Sequence, residues 1–129
     1  MASSRVYLFI AHGSREPAAQ AGFESLLQSL RKPFEPHAVV GAYLTLNQPS
    51  IAEAVEACVK KGAVNFVIVP LFFFEGTHLK KDIPQILADL KLQHPLIDFH
   101  VMPAIASIEG FSDWVVASSS KSVNASKLK

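Results

Sequence analysis

Short, unbroken apolar runs alternate along this chain with longer stretches in which apolar residues recur every three or four positions. Val6 to Ile10 is a β-rich run without polar alternation, the pattern of a strand buried on both faces. Phe23, Leu26, Leu27 and Leu30 then fall on one helical stripe; Pro17 sits where a first turn tolerates it, and Pro33 and Pro36 end the segment. Ala38 to Leu44 reads as a second strand. Asn47-Gln48-Pro49-Ser50 supplies capping chemistry for a second helix with Ile51, Val55, Cys58 and Val59 on one face, closed by Gly62 as a left-handed cap. Phe66 to Phe73 predicts a third strand whose ladder ends at Pro70. Lys80-Lys81-Asp82-Ile83-Pro84 opens a third helix with Ile83, Ile86, Leu87 and Leu90 inward. Ile97 to Met102 forms a fourth strand, and Ile108 to Ala117, with Trp114, a last short helix.

Four alternations of strand and helix predict an α/β fold, a three-layer sandwich around a mainly parallel four-stranded sheet. Right-handed crossovers put every strand-to-helix loop on the same sheet edge. One domain is expected over residues 1–117. From Ser118 the composition turns to Ser, Lys, Ala and Asn, which predicts a disordered tail over 118–129.

Composition narrows the function. At 129 residues the chain builds one core but no second substrate domain, so a large cleft calls for a partner chain. The formal charge is +1, and setting aside Lys121, Lys127 and Lys129 leaves 9 basic against 11 acidic residues, no electrostatic footprint for nucleic acid. No apolar run is long enough to cross a bilayer, and the polar start leading straight into a strand lacks a signal-peptide layout, so a cytoplasmic protein without membrane association is expected. The single Cys58 cannot form an internal disulfide and is expected to be a buried, inert thiol.

Two histidines follow the two most apolar runs: Ala11-His12-Gly13-Ser14-Arg15 after the first strand, and Phe72-Phe73-Phe74-Glu75-Gly76-Thr77-His78 after the third. If those strands are parallel neighbours, both imidazoles lie at the carboxyl edge, where open α/β sheets place their ligands. Gly13 lets a ligand or backbone approach closely, and the helix start after Ser14 offers free N–H groups to anions. A histidine at a strand end is as often a structural hydrogen-bonding residue as a functional one, so His12 gains meaning from His78. Phe72 and Phe74 read equally as core or cleft wall. Other chemistries fail on the letters: Ala11 stands where a phosphohistidine phosphatase needs Arg, and no P-loop, Cys-x-x-Cys, His-Glu-x-x-His or Gly-x-Ser-x-Gly occurs. Two imidazoles with a nearby carboxylate remain, a donor set suited to cobalt, iron or nickel.

These segments, with Gln48-Pro49-Ser50-Ile51, Gly62-Ala63 and Asp82-Ile83-Pro84, resemble the short sirohydrochlorin chelatases of the CbiX/SirB group over roughly residues 5 to 106. The resemblance implies a chelatase-like lobe that pairs as a homodimer and inserts a divalent metal into a tetrapyrrole, in cobalamin or sirohaem biosynthesis. It implies no tightly bound cofactor: Co2+, Fe2+ or Ni2+ enters as substrate. His12 and His78 are implied as metal ligands and proton acceptors, hence catalytic. Ser14, Arg15, Phe73, Phe74, Glu75, Gly76, Thr77 and Lys80 are the substrate-binding candidates. Arg15, Lys80 and Lys81 suit the substrate's carboxylates, although the two lysines read equally as a solvated helix start. Family members often carry a glutamate in a Leu-Glu-Leu-like string where this chain has Leu44-Thr45-Leu46; if that acid assists metal delivery, Thr45 either counts against the chelatase assignment or shifts the role to Glu75. The rival reading is a metal- or tetrapyrrole-binding carrier without turnover.

Overall fold

The computed structural model describes residues 4–126. Four strands form one parallel sheet: β1 (Val6–Ala11), β2 (Ala38–Tyr43), β3 (Asn65–Pro70) and β4 (Asp98–Val101), in the order β2-β1-β3-β4. β1 therefore has β2 on one side and β3 on the other, with Val6 level with Ala38 and Phe66. The helices are α1 (Pro17–Phe34), α2 (Ile51–Lys60), α3 (Ile83–Gln93) and α4 (Phe111–Ser126). No described helix is long and apolar enough to cross a membrane.

Strand alternation divides the core into two layers. Leu8 and Ile10 of β1, Ala42 of β2 and Phe66 and Ile68 of β3 join Ile51, Ala54 and Val55 of α2 and Ile83, Leu87 and Leu90 of α3. On the opposite face Phe9, Val39 and Tyr43 pack under Phe23 and Leu27 of α1. Helices on both faces explain why the first strand is apolar throughout. Gly41 gives α1 its close approach to β2, since a Cβ there would lie 2.5 Å from Leu27 Cδ1.

Local chemistry sets the boundaries. Ser50 accepts the Glu53 N–H while the Glu53 carboxylate accepts the Ser50 N–H, a reciprocal capping box at the start of α2. We expect Ser50→Ala to cost about 1 kcal/mol in urea denaturation; an unchanged midpoint would deny the cap its role. Gly62 ends this segment at φ +93°, as the glycine predicts.

Several expectations are corrected. α1 runs to Phe34 with Pro33 inside it, because a proline in the exposed last turn removes only one backbone bond. Leu26 sits on the rim of its stripe and is exposed. β3 stops at Pro70, so strand alternation does not govern Phe72 to Phe74. Cys58 is half-buried rather than buried, and its partial burial raises the thiol pKa. Helix α4 begins at Phe111 and continues through Ser126, where composition predicted disorder from Ser118. Ala, Ser and Lys carry only modest helix penalties, so a helix already started by Phe111 and Trp114 propagates through them. Residues 127–129 lie outside the described residues.

Candidate functional site

Because β1 and β3 are parallel neighbours, the segments leaving their carboxyl ends emerge side by side. The rings of His12 and His78 approach to 5.2 Å between centroids, edge to face at 69°. Phe72 adds a third ring, 6.2 Å from His12. Both histidines are exposed, His78 with 52% of its side chain accessible, so a molecule arriving from solvent meets both imidazoles at once.

The first loop holds His12 by its backbone. The His12 carbonyl accepts the Thr45 N–H at 3.0 Å, and the Ser14 N–H donates to Asn47 Oδ1 at 2.7 Å, which ties the β1 exit to the β2 exit. Between these bonds Gly13 adopts φ +109° and lies so close to the facing loop that a Cβ would stand 1.9 Å from the Thr45 carbonyl oxygen. The sequence left open whether Gly13 admits a ligand or a backbone; the answer is a backbone.

The second loop is clamped on both sides. Leu71 N–H donates to the Ile10 carbonyl at 2.8 Å, while the Phe72 and Phe73 carbonyls accept from Ile105 and Ala106 at 2.8 and 3.0 Å. This exposes Phe73 by 58% and Phe74 by 75%, whereas Phe72 is half-buried and packs on the core. Phe73 also meets Phe111 of α4, at 6.2 Å between centroids.

His78 then begins a single π-helical turn, His78–Asp82, ahead of α3, in which the Ile83 N–H donates to the His78 carbonyl. Pro84 accounts for the widening: it has no N–H for the carbonyl of Lys80, and its ring disfavours regular helical placement of that carbonyl. Buried Leu79 and Ile83 anchor the turn on the core. His78 Nδ1 lies 2.6 Å from Asp82 Oδ2, the i to i+4 neighbour.

The remaining candidates divide. Arg15, Thr77 and Lys80 are exposed on the same two segments, and neither Arg15 nor Lys80 has an ion pair among the described residues. Ser14 is half-buried and its hydroxyl accepts the Glu16 N–H, a local bond at the approach to α1. Glu75 Oε1 accepts the Ala104 N–H at 3.3 Å, which directs this carboxylate toward the segment after β4. Gly76 is structurally unconstrained, since a Cβ there would meet nothing within 4 Å. The sequence placed Asn47 and Asp82 at helix starts and gave neither a role in the site. The i to i+4 spacing of His78 and Asp82 was the available signal for Asp82; Asn47 offered none, because its bond to Ser14 spans 33 positions. Thr45 is exposed beside His12, at the rim of the histidine pair.

A parallel sheet carrying a facing imidazole pair at its carboxyl edge defines an α/β protein whose site is assembled from strand-end loops, with nitrogen donors suited to a transition-metal cation. The sequence profile of the CbiX family matches residues 6–122, and the chain belongs to that family. It is 37% identical over 84 residues to a sirohydrochlorin cobaltochelatase of Sulfurisphaera tokodaii, a match covering 65% of this chain and 68% of that one. A sirohydrochlorin ferrochelatase of Bacillus subtilis is 31% identical over 90 residues, 70% of this chain and 34% of the relative. The chain thus spans about a third of the length of that relative.

Among solved structures, a CbiX protein from Marinobacter aquaeolei VT8 superposes with a TM-score of 0.82 over 98% of this chain and 100% of its own. At 24% identity that likeness establishes the fold alone. The sirohydrochlorin chelatase SirB from Bacillus subtilis subspecies spizizenii, solved in complex with cobalt, has a TM-score of 0.75 and 30% identity, covering 80% of this chain and 44% of that one.

Proposed function

We propose that this chain is a sirohydrochlorin chelatase, inserting Co2+ or Fe2+ into the macrocycle as a step of cobalamin or sirohaem biosynthesis. The observation that carries the reading is the His12–His78 pair, 5.2 Å apart at the open edge of a CbiX-family sheet. Insertion exchanges a divalent cation for two pyrrole protons, so the site must both hold the cation and receive protons. A neutral imidazole does either near neutral pH, though the same nitrogen cannot do both at once. The two rings therefore alternate the tasks: both imidazoles hold the arriving cation, leaving its other positions open for the macrocycle, and as the pyrrole nitrogens take over the cation each released imidazole accepts one of the two protons.

The hollow beside His12, of about 200 Å3, is too small for a tetrapyrrole. The ring instead lies across the open edge, against the exposed faces of Phe73 and Phe74, with Arg15 and Lys80 placed for its peripheral carboxylates. Thr77 and Gly76 complete the wall between them. Ser14 and Glu75 order the backbone through the Glu16 and Ala104 N–H groups they accept. The single domain, residues 1–117, with α4 running on past it to Ser126, closes the other side of the cleft as a homodimer in the cytoplasm, the metal passing through as substrate with no cofactor retained.

An anaerobic absorbance assay of sirohydrochlorin with Co2+ or Fe2+, run beside light scattering of the working protein, tests this reading. Metal insertion above the spontaneous rate by a dimer is expected. Binding of the macrocycle without faster insertion would make the protein a carrier, and turnover by a monomer would remove the two-chain cleft.

A further inference from the structure

The geometry of Asp82 decides which nitrogen of His78 is available. The Asp82 carboxylate lies 2.6 Å from His78 Nδ1. An ionised carboxylate only accepts, so this contact requires the proton on Nδ1. In the neutral ring that leaves Nε2, on the far side of the imidazole from Asp82, as the nitrogen with the free lone pair. The pair is built by the backbone rather than by chance encounter of two surface side chains. The π-turn places both residues in one five-residue segment, fixed by buried Leu79 within it and buried Ile83 just after it. Two neighbouring lysines, Lys80 and Lys81, are exposed, and neither forms an ion pair with Asp82 among the described residues, so the carboxylate is committed to the imidazole.

We propose that Asp82 is a positioning residue: it locks His78 in the Nδ1–H tautomer and fixes the ring's angle, so that Nε2 is presented to a divalent cation shared with His12. This rests on the proposed metal-insertion reading for its purpose, but not for its test. A carboxylate behind a ligating imidazole orients it and raises its basicity, and loss of such a partner commonly costs 10- to 100-fold in metal affinity or activity.

The experiment combines two readouts on the full chain. In protein labelled with 15N-histidine, at a pH where the ring is neutral, His78 should show a protonated Nδ1 and a bare Nε2. Asp82→Ala should shift it toward the Nε2–H form, while Asp82→Asn, whose amide oxygen still accepts, should retain the native tautomer. In titration with Co2+ alone, Asp82→Ala should weaken binding about 10- to 100-fold and Asp82→Asn by less. A His78 that is Nε2-protonated in the native protein, or a tautomer and Co2+ affinity indifferent to Asp82→Ala, overturns the proposal. If both readouts behave as expected but the native protein fails to insert metal into sirohydrochlorin, the positioning role stands and the chelatase reading falls.

Discussion

Replacing His12 with alanine is expected to lower the rate of Co2+ insertion into sirohydrochlorin by about 100- to 10,000-fold, the range for loss of a positioned acid or base, and replacing His78 to do the same. Both side chains are exposed, and among the described residues neither fills the core, so the melting temperature should stay close to that of the native protein. The two rings touch the same small volume, with centroids 5.2 Å apart, and residues acting as one unit do not lose activity additively. The double variant should therefore be little worse than either single one. Anaerobic initial rates, with circular dichroism melts on the same samples, read all three proteins. Full activity in both single variants would remove the histidine pair from the mechanism, and a double variant slower by the product of the two single effects would mean that the rings work in separate steps.

The pairing of these rings was accessible from the sequence through topology. Alternating strand and helix signals fix a parallel sheet, and right-handed crossovers send the exits of β1 and β3 to one edge. Pro70 marks where the third ladder stops. What the letters could not supply was tertiary. The bond from Ser14 to Asn47 and the contact of Gly13 with Thr45 join segments more than thirty positions apart, and no local periodicity encodes them. The π-turn is a compromise between Pro84, which cannot donate, and the burial of Leu79 and Ile83, so it emerges only once the core is assembled. Glu75 illustrates the reverse difficulty. Its position in an aromatic, glycine-containing loop reads as a site carboxylate, yet the strand-end segment after β4 passes beneath it and takes one oxygen through the Ala104 N–H. Residues 118–126 show how weak composition is as evidence against a helix: Ser and Lys lower the gain from burial without forbidding the backbone conformation.

The second large effect falls on stability. Gly13→Ala should destabilise the fold by about 3 kcal/mol, from backbone strain of roughly 1–3 kcal/mol and hydrogen bonds worth about 1 kcal/mol each. At φ +109° an L side chain is strained whatever space surrounds it, and the added Cβ would lie 1.9 Å from the Thr45 carbonyl oxygen and 2.9 Å from its carbon. Thr45 has little room to retreat. Its N–H donates to the His12 carbonyl at 3.0 Å, and its carbonyl accepts the Asn47 N–H at 2.7 Å. Asn47 in turn holds the Ser14 N–H, so relieving the clash breaks the bonds that set the height of His12 above the sheet edge. Gly22 provides the control, because a Cβ there meets nothing within 4 Å and the residue lies inside α1. Gly22→Ala should raise stability by about 0.5–1 kcal/mol. Urea denaturation of the two variants therefore moves in opposite directions from the native midpoint, and the Gly13 variant, assayed where it is still folded, loses metal insertion along with the His12 position. A Gly13→Ala protein with native stability and native rates would show that the loop at Thr45 yields freely, and that the clamp on His12 is not what places the imidazole.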